Sequence, residues 1–593
     1  MSEQRFGFAS FAPAAFILVL VGAGLWLGNY PKYVLAIAIL SALIGAALVV
    51  LVGLGRCITL ASGSVMAIGA YTATLPMIHL GVPYPLTLLL AILAGAAAGW
   101  IIALPGTRFR GHNLAMVTLV FQSVSIILIR ESKWLTGGAE GIHVPPPSIF
   151  GWPIRTDSDF LLLIGVLSAL IILLLTILVR GPFGKNLQAV ASNEVAAEAF
   201  GVSVSDYLTA AFIVSSMTIA FAGALAAPRV RILDPDSFGV LQSIFMLAYP
   251  IVGGMYSVWG GLLGGGALRI LPELLRPVAD YQELFFATLV IVVVMFVPGG
   301  VIELLRRASA PLRNRHAKAA PRAIAAAAEM RGRATEQTSG ALLRIVDIDK
   351  HFDALHAVDH ANVAVPAGGI HGLIGPNGAG KTSLFNIISG FLEADAGRVE
   401  FAGTSLLDLK ARDRIRLGIT RTFQHVAVFG QLSCLENVSI GRGRNGVADS
   451  IGQSFAHFVG AGSTNAARRE ALLALQAVGL AHRAHSPAGA LSLGDQRRLE
   501  IARAIVSEPK LILLDEPVSG VAEAEAEELR QLLLRINPER NIAMLVVEHN
   551  IPFVAKLCGT LSVMGSGAIV AEGSPAEVIS MPTVRQLYFG EEA

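Results

Sequence analysis

Cysteine is nearly missing: the 593 residues hold three, Cys57, Cys434 and Cys558, far apart and with no CxxC or Cys/His spacing. That argues against a disulfide framework and against a structural zinc site. Charge is sparse too, at 15% of residues against 54% hydrophobic, so the chain is too apolar to be water-soluble throughout and too long for one domain. A net charge of +2 argues neither for nor against a nucleic-acid partner, because the basic residues sit largely in loops and in one linker; no aromatic residues interleave there, and no nucleic-acid partner is expected. The shortage of charge is uneven. Long uncharged runs follow one another from Phe11 to about Val301, whereas charges recur every few residues beyond Ala341.

A helix needs about 20 apolar residues to cross a bilayer. Runs near 13–29, 33–54, 57–80, 86–104, 113–130, 160–179, 207–227, 240–253, 257–272 and 284–299 give about ten crossings on that measure. Arg5 before the first run resembles the start of a signal peptide, but the further spans make an uncleaved first helix the simpler reading. If every run crosses, Arg56, Arg108 with Arg110, Arg180 with Lys185, and Arg306 with Arg307 share one side, which positive charge marks as cytoplasmic. Both termini then face the cytoplasm, and the segment Glu131 to Asp159 lies on the far side. Arg229, Arg231 and Arg269 fit this less neatly, with Asp234 and Asp236 softening the first conflict.

Two stretches of this half read in two ways. The spans between 240 and 272 are broken by Gly253-Gly254, Gly260-Gly261 and Gly264 to Gly266, which serve close helix packing or a discontinuous pathway helix. Leu187 to Ala191 and Val195 to Phe200, closed by Gly201, have helical apolar spacing. They form either a helix flat beneath the membrane with one face for a cytosolic partner, or a solvated amphipathic loop. Residues 306–340 are Ala-rich and basic, with Arg313, Arg315, Lys318, Arg322, Arg331 and Arg333, suited to anionic head groups or to a partly helical tether. The expected division is therefore a membrane domain over 1–305, a linker over 306–340 and a water-soluble domain over 341–593.

In the last of these, strand and helix patterns alternate, and GPNGAGKT spans Gly375 to Thr382 between an apolar strand and a helix start. Glycines let successive N–H groups point at an anion, the helix N-terminus adds positive potential, Lys381 reaches the outer phosphates, and Thr382 can meet Mg2+. Two buried strand patterns end in Asp515-Glu516 and in Glu548-His549. Asp515 there can hold Mg2+ through water, Glu516 can orient an attacking water, and His549 either lies within reach of a γ-phosphate or is structural, the commoner role of a lone histidine at such a place.

These residues resemble the ATPase subunits of ABC transporters: Walker A at Gly375 to Thr382, RTFQ ending at Gln424, the signature LSLGDQRRLEIARA from Leu491, Walker B LILLDEP from Leu511, and His549. RTFQHVAVF, GDQRRLEIARA, VVEHN and the tail AEGSPAEV look like branched-chain amino acid importer ATPases, and GHNLAMVTL, LTGGAEGI, PFGKNLQAVASNEVAAEAFGV, LDPDSFG and MFVPGGVIELL look like the paired permease.

The resemblance implies an α-helical polytopic membrane domain fused to an α/β P-loop ATPase. It implies ATP bound by Gly375, Pro376, Asn377, Gly378, Ala379, Gly380, Lys381, Thr382 and Ser383, with Phe352 either stacked on adenine or a core residue. It assigns Mg2+ to Thr382, Gln424 and Asp515, catalysis to Glu516, His549 and Gln424, and a head-to-tail dimer in which Ser492 and Gly494 of a second ATPase complete the site. The helix near 187–203 would couple the permease to a groove beside Gln424. Implied partners are a second permease, a second ATPase, a periplasmic solute-binding protein and the bilayer of the bacterial inner membrane. The expected cargo is branched-chain or other amino acids, with urea, amides, aromatic acids or an exporter's cargo as alternatives. Leu493 and Asp495 depart from the common signature. Ala522 stands where Asp or Asn is usual, which weakens the expected communication between two ATP sites.

Overall fold

The computed structural model describes residues 3–149, 151–297, 299–304, 340–353, 355–443, 446–459 and 464–589; the linker expected over 306–340 lies outside them but for Gly340. The chain forms two compact units, 1–187 with 204–322 and 447–462, and 188–203 with 323–446 and 463–593.

The first unit is helical: α1 (Glu3–Gly24), α2 (Asn29–Leu48), α3 (Ser62–Leu80), α4 (Tyr84–Gly106), α5 (Gly111–Glu131), α6 (Asp157–Arg180), α7 (Pro182–Ser192), then, beyond the short α8 (Glu194–Ala199), α9 (Val204–Val230), α10 (Val240–Gly253), α11 (Val258–Leu274) and α12 (Gln282–Phe296). Each of the ten apolar windows overlaps one of these helices. Among the described residues six helical stretches are long and apolar enough to cross a membrane, by length and composition, and Ser10–Gly24 and Leu284–Phe296 are shorter apolar helices. α3, which carries polar residues, and α11, at 17 residues, fall below that measure.

Local chemistry sets several helix ends. Thr156 caps α6 by accepting from the Asp159 N–H at 3.2 Å while Asp159 accepts from the Thr156 N–H at 3.0 Å, a reciprocal box that starts the helix after a polar loop. The glycines of α10 and α11 serve close packing. A Cβ on Gly253 would lie 1.8 Å from the Gly260 carbonyl oxygen, and one on Gly261 would lie 2.4 Å from that of Gly45 in α2. Arg229, at the end of α9, pairs with Asp157 at 2.5 Å and lies over the Tyr33 ring at 4.6 Å. The end of α9 thus lies level with the start of α6, and the awkward positive charge is neutralised there.

A helix from late in the sequence, Val447–Val459, belongs to this unit. Its Ser450 hydroxyl meets Tyr207 Oη at 2.6 Å and accepts from Asn186 Nδ2 at 3.1 Å, and its Phe458 ring lies 5.0 Å from Phe11. Ser454, fully buried, accepts from the Phe183 N–H at 3.4 Å.

The second unit holds two sheets. Strands β1 (Ala341–Phe352), β2 (Leu355–Pro366), β4 (Ala396–Phe401) and β5 (Thr404–Ser405) form an antiparallel sheet ordered β2-β1-β4-β5. Strands β3 (Ile370–Ile374), β6 (Ile419–Arg421), β7 (Leu511–Asp515), β8 (Ala543–Val547), β9 (Thr560–Gly565) and β10 (Ala568–Gly573) form the other, ordered β6-β7-β8-β3-β9-β10 and parallel except at β9-β10. β3, β7 and β8 are buried on both faces. Alternate residues feed two cores, Ile512, Leu514, Met544 and Val546 on one side and Leu511, Leu513, Ala543 and Leu545 on the other, as continuous apolar strands require. Around the sheets lie α13 (Lys381–Ser389), α14 (Ala411–Leu417), α15 (Leu493–Ile505), α16 (Glu523–Arg540) and α17 (Ile551–Leu557).

Candidate functional site

The parallel register sets Asp515 beside Val547 and Val547 beside Leu373, so the ends of β7, β8 and β3 come to one edge. Ligands of such sheets bind outside the carboxyl ends of the strands. The loop Gly375 to Gly380 leaves β3 there and turns into α13 at Lys381. Two of its glycines are needed for fit: a Cβ on Gly375 would lie 2.2 Å from the Met564 carbonyl oxygen, and one on Gly380, at φ +95°, would lie 2.1 Å from that of Ala357. Lys381 Nζ donates to the Gly375 and Pro376 carbonyls at 2.7 and 2.8 Å, folded back along the loop. Burial lowers its pKa, while Glu516 and Asp515 act in the other direction. Asn377, Gly378 and Thr382 are exposed at the mouth, Pro376 and Ser383 are half-buried, and Ala379 is buried.

Asp515 is buried and accepts from Arg421 Nη2 at 2.9 Å; burial raises its pKa and Arg421 opposes the rise. Glu516 follows with a backbone φ of +43°, a strained value for a non-glycine residue and one that clusters at functional positions. His549 Nδ1 lies 4.0 Å from Glu516 Oε2, with the imidazole largely exposed. The edge thus gathers Lys381, Asp515, Glu516 and His549. Gln424 is exposed on a loop beyond β6. Phe352, at the β1 tip, is 45% exposed, which sets aside its reading as a core residue. Ser492 and Gly494 sit elsewhere, at the start of α15, where Ser492 accepts from the Asp495 N–H at 3.2 Å and a Cβ on Gly494 would meet the Glu525 carboxyl at 2.7 Å. Ala522 occupies the position just before α16 and supplies no side-chain cap.

Four residues to which the motifs assign no role brace this edge and the Gln424 loop. Arg421 donates to Asn386 Oδ1 at 2.6 Å, Ser389 Oγ at 2.7 Å and Asp515, tying α13 to β7. Glu548, fully buried, accepts from the Val518, His549 and Asn550 N–H groups at 3.1, 3.0 and 3.2 Å and so shapes the loop that carries His549. Arg497 donates to the Phe423 and Gln424 carbonyls, both at 2.6 Å, and Arg503 to the Ala427 carbonyl at 2.8 Å. Arg421 and Glu548 stand at the ends of apolar strand runs, and that contrast is the signal that marks them, whereas Arg497 and Arg503 lie in an already charged helix where nothing in the pattern singles them out.

The 188–203 segment belongs to this unit. Asn193 caps α8 by accepting from the Ala196 N–H at 2.9 Å, and Gly201 ends it at φ +78°. Phe200 is fully buried under the Arg503 guanidinium, 4.4 Å from ring centre, and Arg412 donates to Ser203 Oγ at 2.8 Å. The solvated-loop reading of Val195 to Phe200 is thereby overturned: the apolar face is packed.

Residues 30–297 match the family described as branched-chain amino acid transport system / permease component, and residues 358–519 match the ABC transporter family. The high-affinity branched-chain amino acid transport ATP-binding protein BraF of Pseudomonas aeruginosa is 32% identical over 250 residues, 42% of this chain and 98% of BraF. LivG of Escherichia coli, of the same description, is 33% identical over 254 residues, again 42% of this chain and 98% of LivG. A solved nucleotide-free ATP-binding cassette from an ABC transporter matches at 32% identity, TM-score 0.38, covering 42% of this chain and all of that one. With a permease component and an ATP-binding cassette in one polypeptide, the chain belongs to the branched-chain amino acid ABC transport family.

Proposed function

We propose that this chain is one half of an importer core in the bacterial inner membrane. Its cassette and both termini are cytoplasmic, and it works with a second permease, a second ATPase and a periplasmic binding protein that delivers a branched-chain or other amino acid. The relatives' names favour that cargo over urea, amides or aromatic acids. The observation that carries the reading is continuity. One sheet edge gathers Lys381, Asp515, Glu516 and His549, and from it Arg497 and Arg503 reach the Gln424 loop and Phe200, a residue of the permease sequence.

Gly375 to Ser383 would cradle the phosphates of ATP, and Phe352 would stack on adenine. Thr382, Gln424 and Asp515 offer hydroxyl, amide and carboxylate oxygens, the hard donors that suit Mg2+, which when bound supplies charge neutralisation between the β- and γ-phosphates. Glu516 takes the proton of the attacking water, His549 steadies the γ-phosphate, and Ser492 with Gly494 of a second cassette closes the site. Ala522 weakens the link between the two sites without removing hydrolysis.

The test is ATP-driven uptake by the assembled complex in proteoliposomes. Lys381→Ala abolishes uptake and leaves binding-protein docking intact; undiminished uptake would overturn the energising role. Glu516→Gln retains ATP and accumulates closed cassette dimers, and near wild-type hydrolysis would remove Glu516 as the base. Competition among solutes for the binding protein identifies the cargo.

A further inference from the structure

Three of the chain's thirteen histidines, His351, His356 and His360, fall within ten residues, and none belongs to the nucleotide edge described above. They stand on the β1–β2 hairpin. His351 and His356 are directly opposed across the two strands, and Asp349 lies two positions before His351 on β1, across a shift in register. The His351 and His356 rings stack with centroids 3.9 Å apart, and His356 Nε2 meets Asp349 Oδ1 at 2.5 Å. The three residues can each turn one ligand atom to within 4.8 Å of the others. His360 pairs through Nδ1 with Asp347 Oδ1 at 2.6 Å, and its Nε2 lies 3.8 Å from Asp349 Oδ2, an orienting contact of the kind that metal ligands receive. Asp359 Oδ1 lies 3.8 Å from His356 Nε2. The neighbouring cation, Lys350, is turned to Asp395 at 2.6 Å.

We propose that the tip of this hairpin is a site for a divalent transition-metal ion, held by Asp349, His351 and His356 and oriented by His360 and Asp359. Imidazole with carboxylate selects zinc, nickel or copper over magnesium or calcium, which take oxygen ligands.

The site adjoins the nucleotide loop. Ala357, next to His356, is the residue whose carbonyl leaves no room for a Cβ on Gly380, and Phe352 follows His351 directly. An ion that pins the two strands also fixes the backbone on which Gly380 rests and the ring proposed for adenine. The regulatory half of this inference rests on the nucleotide reading; the binding half does not.

The full chain in detergent, stripped with a chelator, is titrated with Co2+ and Zn2+. One equivalent of Co2+ per chain with the visible absorption of imidazole ligation is expected, and His351→Ala/His356→Ala and Asp349→Asn each lose it. All these side chains are partly or fully exposed, so the fold is kept. Equal stoichiometry and affinity in both variants would overturn the site. Zn2+ is expected to shift the apparent Kd for ATP about fivefold in the wild type and not in the double variant; tight Zn2+ binding with an unmoved Kd would overturn the regulatory coupling. Failure of the metal-free wild type to bind ATP would instead count against the nucleotide reading.

Discussion

Arg421 makes three hydrogen bonds while its guanidinium lies over the rings of Phe385, Phe423 and Phe391, at 4.8, 5.4 and 5.7 Å. Its own pKa is lowered by burial, so the charge is kept by Asp515 and by the aromatic faces. Removing one partner of a buried pair typically costs about 3–5 kcal/mol. Arg421→Met should therefore raise the Asp515 pKa further, cut hydrolysis at least about tenfold and move its pH optimum upward, as steady-state rates against pH will read. Arg421→Lys should rescue it only in part, since an ammonium lacks the planar fork. The motif RTFQ is visible in the sequence, but the arginine's role is not, because its carboxylate partner stands 94 positions later. His371 shows the same limit. It is fully buried between Thr560 and Ser562 hydroxyls at 2.8 and 2.9 Å, and burial lowers its pKa from 6.5 to about 4. A folded pKa below the unfolded one gives stability that is complete above pH 6.5 and is lost as pH falls from 6.5 towards 4, by up to about 3 kcal/mol. Thermal unfolding of the cassette across that range should be visibly less pH-dependent in His371→Gln.

Among the elements, α15 does more than carry the signature. Arg497, Glu500 and Arg503 recur every third residue along one buried face, and together they hold the backbone from Phe423 to Ala427, with Glu500 accepting from the Ala427 N–H at 2.9 Å. The helix is amphipathic in a form that periodicity misreads, because these polar residues face inward. The polar segment after α6 was legible as helix from its spacing, whereas its division into α7 and α8 at Asn193 follows from capping, a signal present in the sequence as Asn193-Glu194. Phe200→Ala should leave basal hydrolysis near wild type and lower ATP-driven uptake about tenfold or more; equal losses of both would argue for a merely structural residue. The glycines of α10 and α11 could be read as packing or as pathway from sequence, and only the backbone distances decide for packing.

For the whole molecule, hydropathy divides the chain at the linker, and the spatial units follow that division except over two short segments. Sequence contrast reports the solvent around a stretch, not its packing partner: 188–203 and 447–459 are amphipathic and too short to span a bilayer, so neither names the unit it packs in. Ser454→Leu should destabilise the first unit by about 1–3 kcal/mol through overpacking against Gly181, whose own Cβ would already lie 2.2 Å from Ser454 Oγ. Its melting temperature in detergent should fall while that of the cassette holds.

The two exchanged segments also bear on how such a chain can be inherited in pieces. Besides the stretch over 306–340, the polypeptide passes between units after 187, after 203, after 446 and after 462. A recombination event at the linker would thus import a cassette bearing a 447–462 helix shaped for another permease, and would leave behind a 188–203 segment shaped for the old cassette. The heritable module is discontinuous, and substitutions at Ser450, Ser454 and Phe200 are expected to change in step with partners that lie hundreds of positions away in the gene.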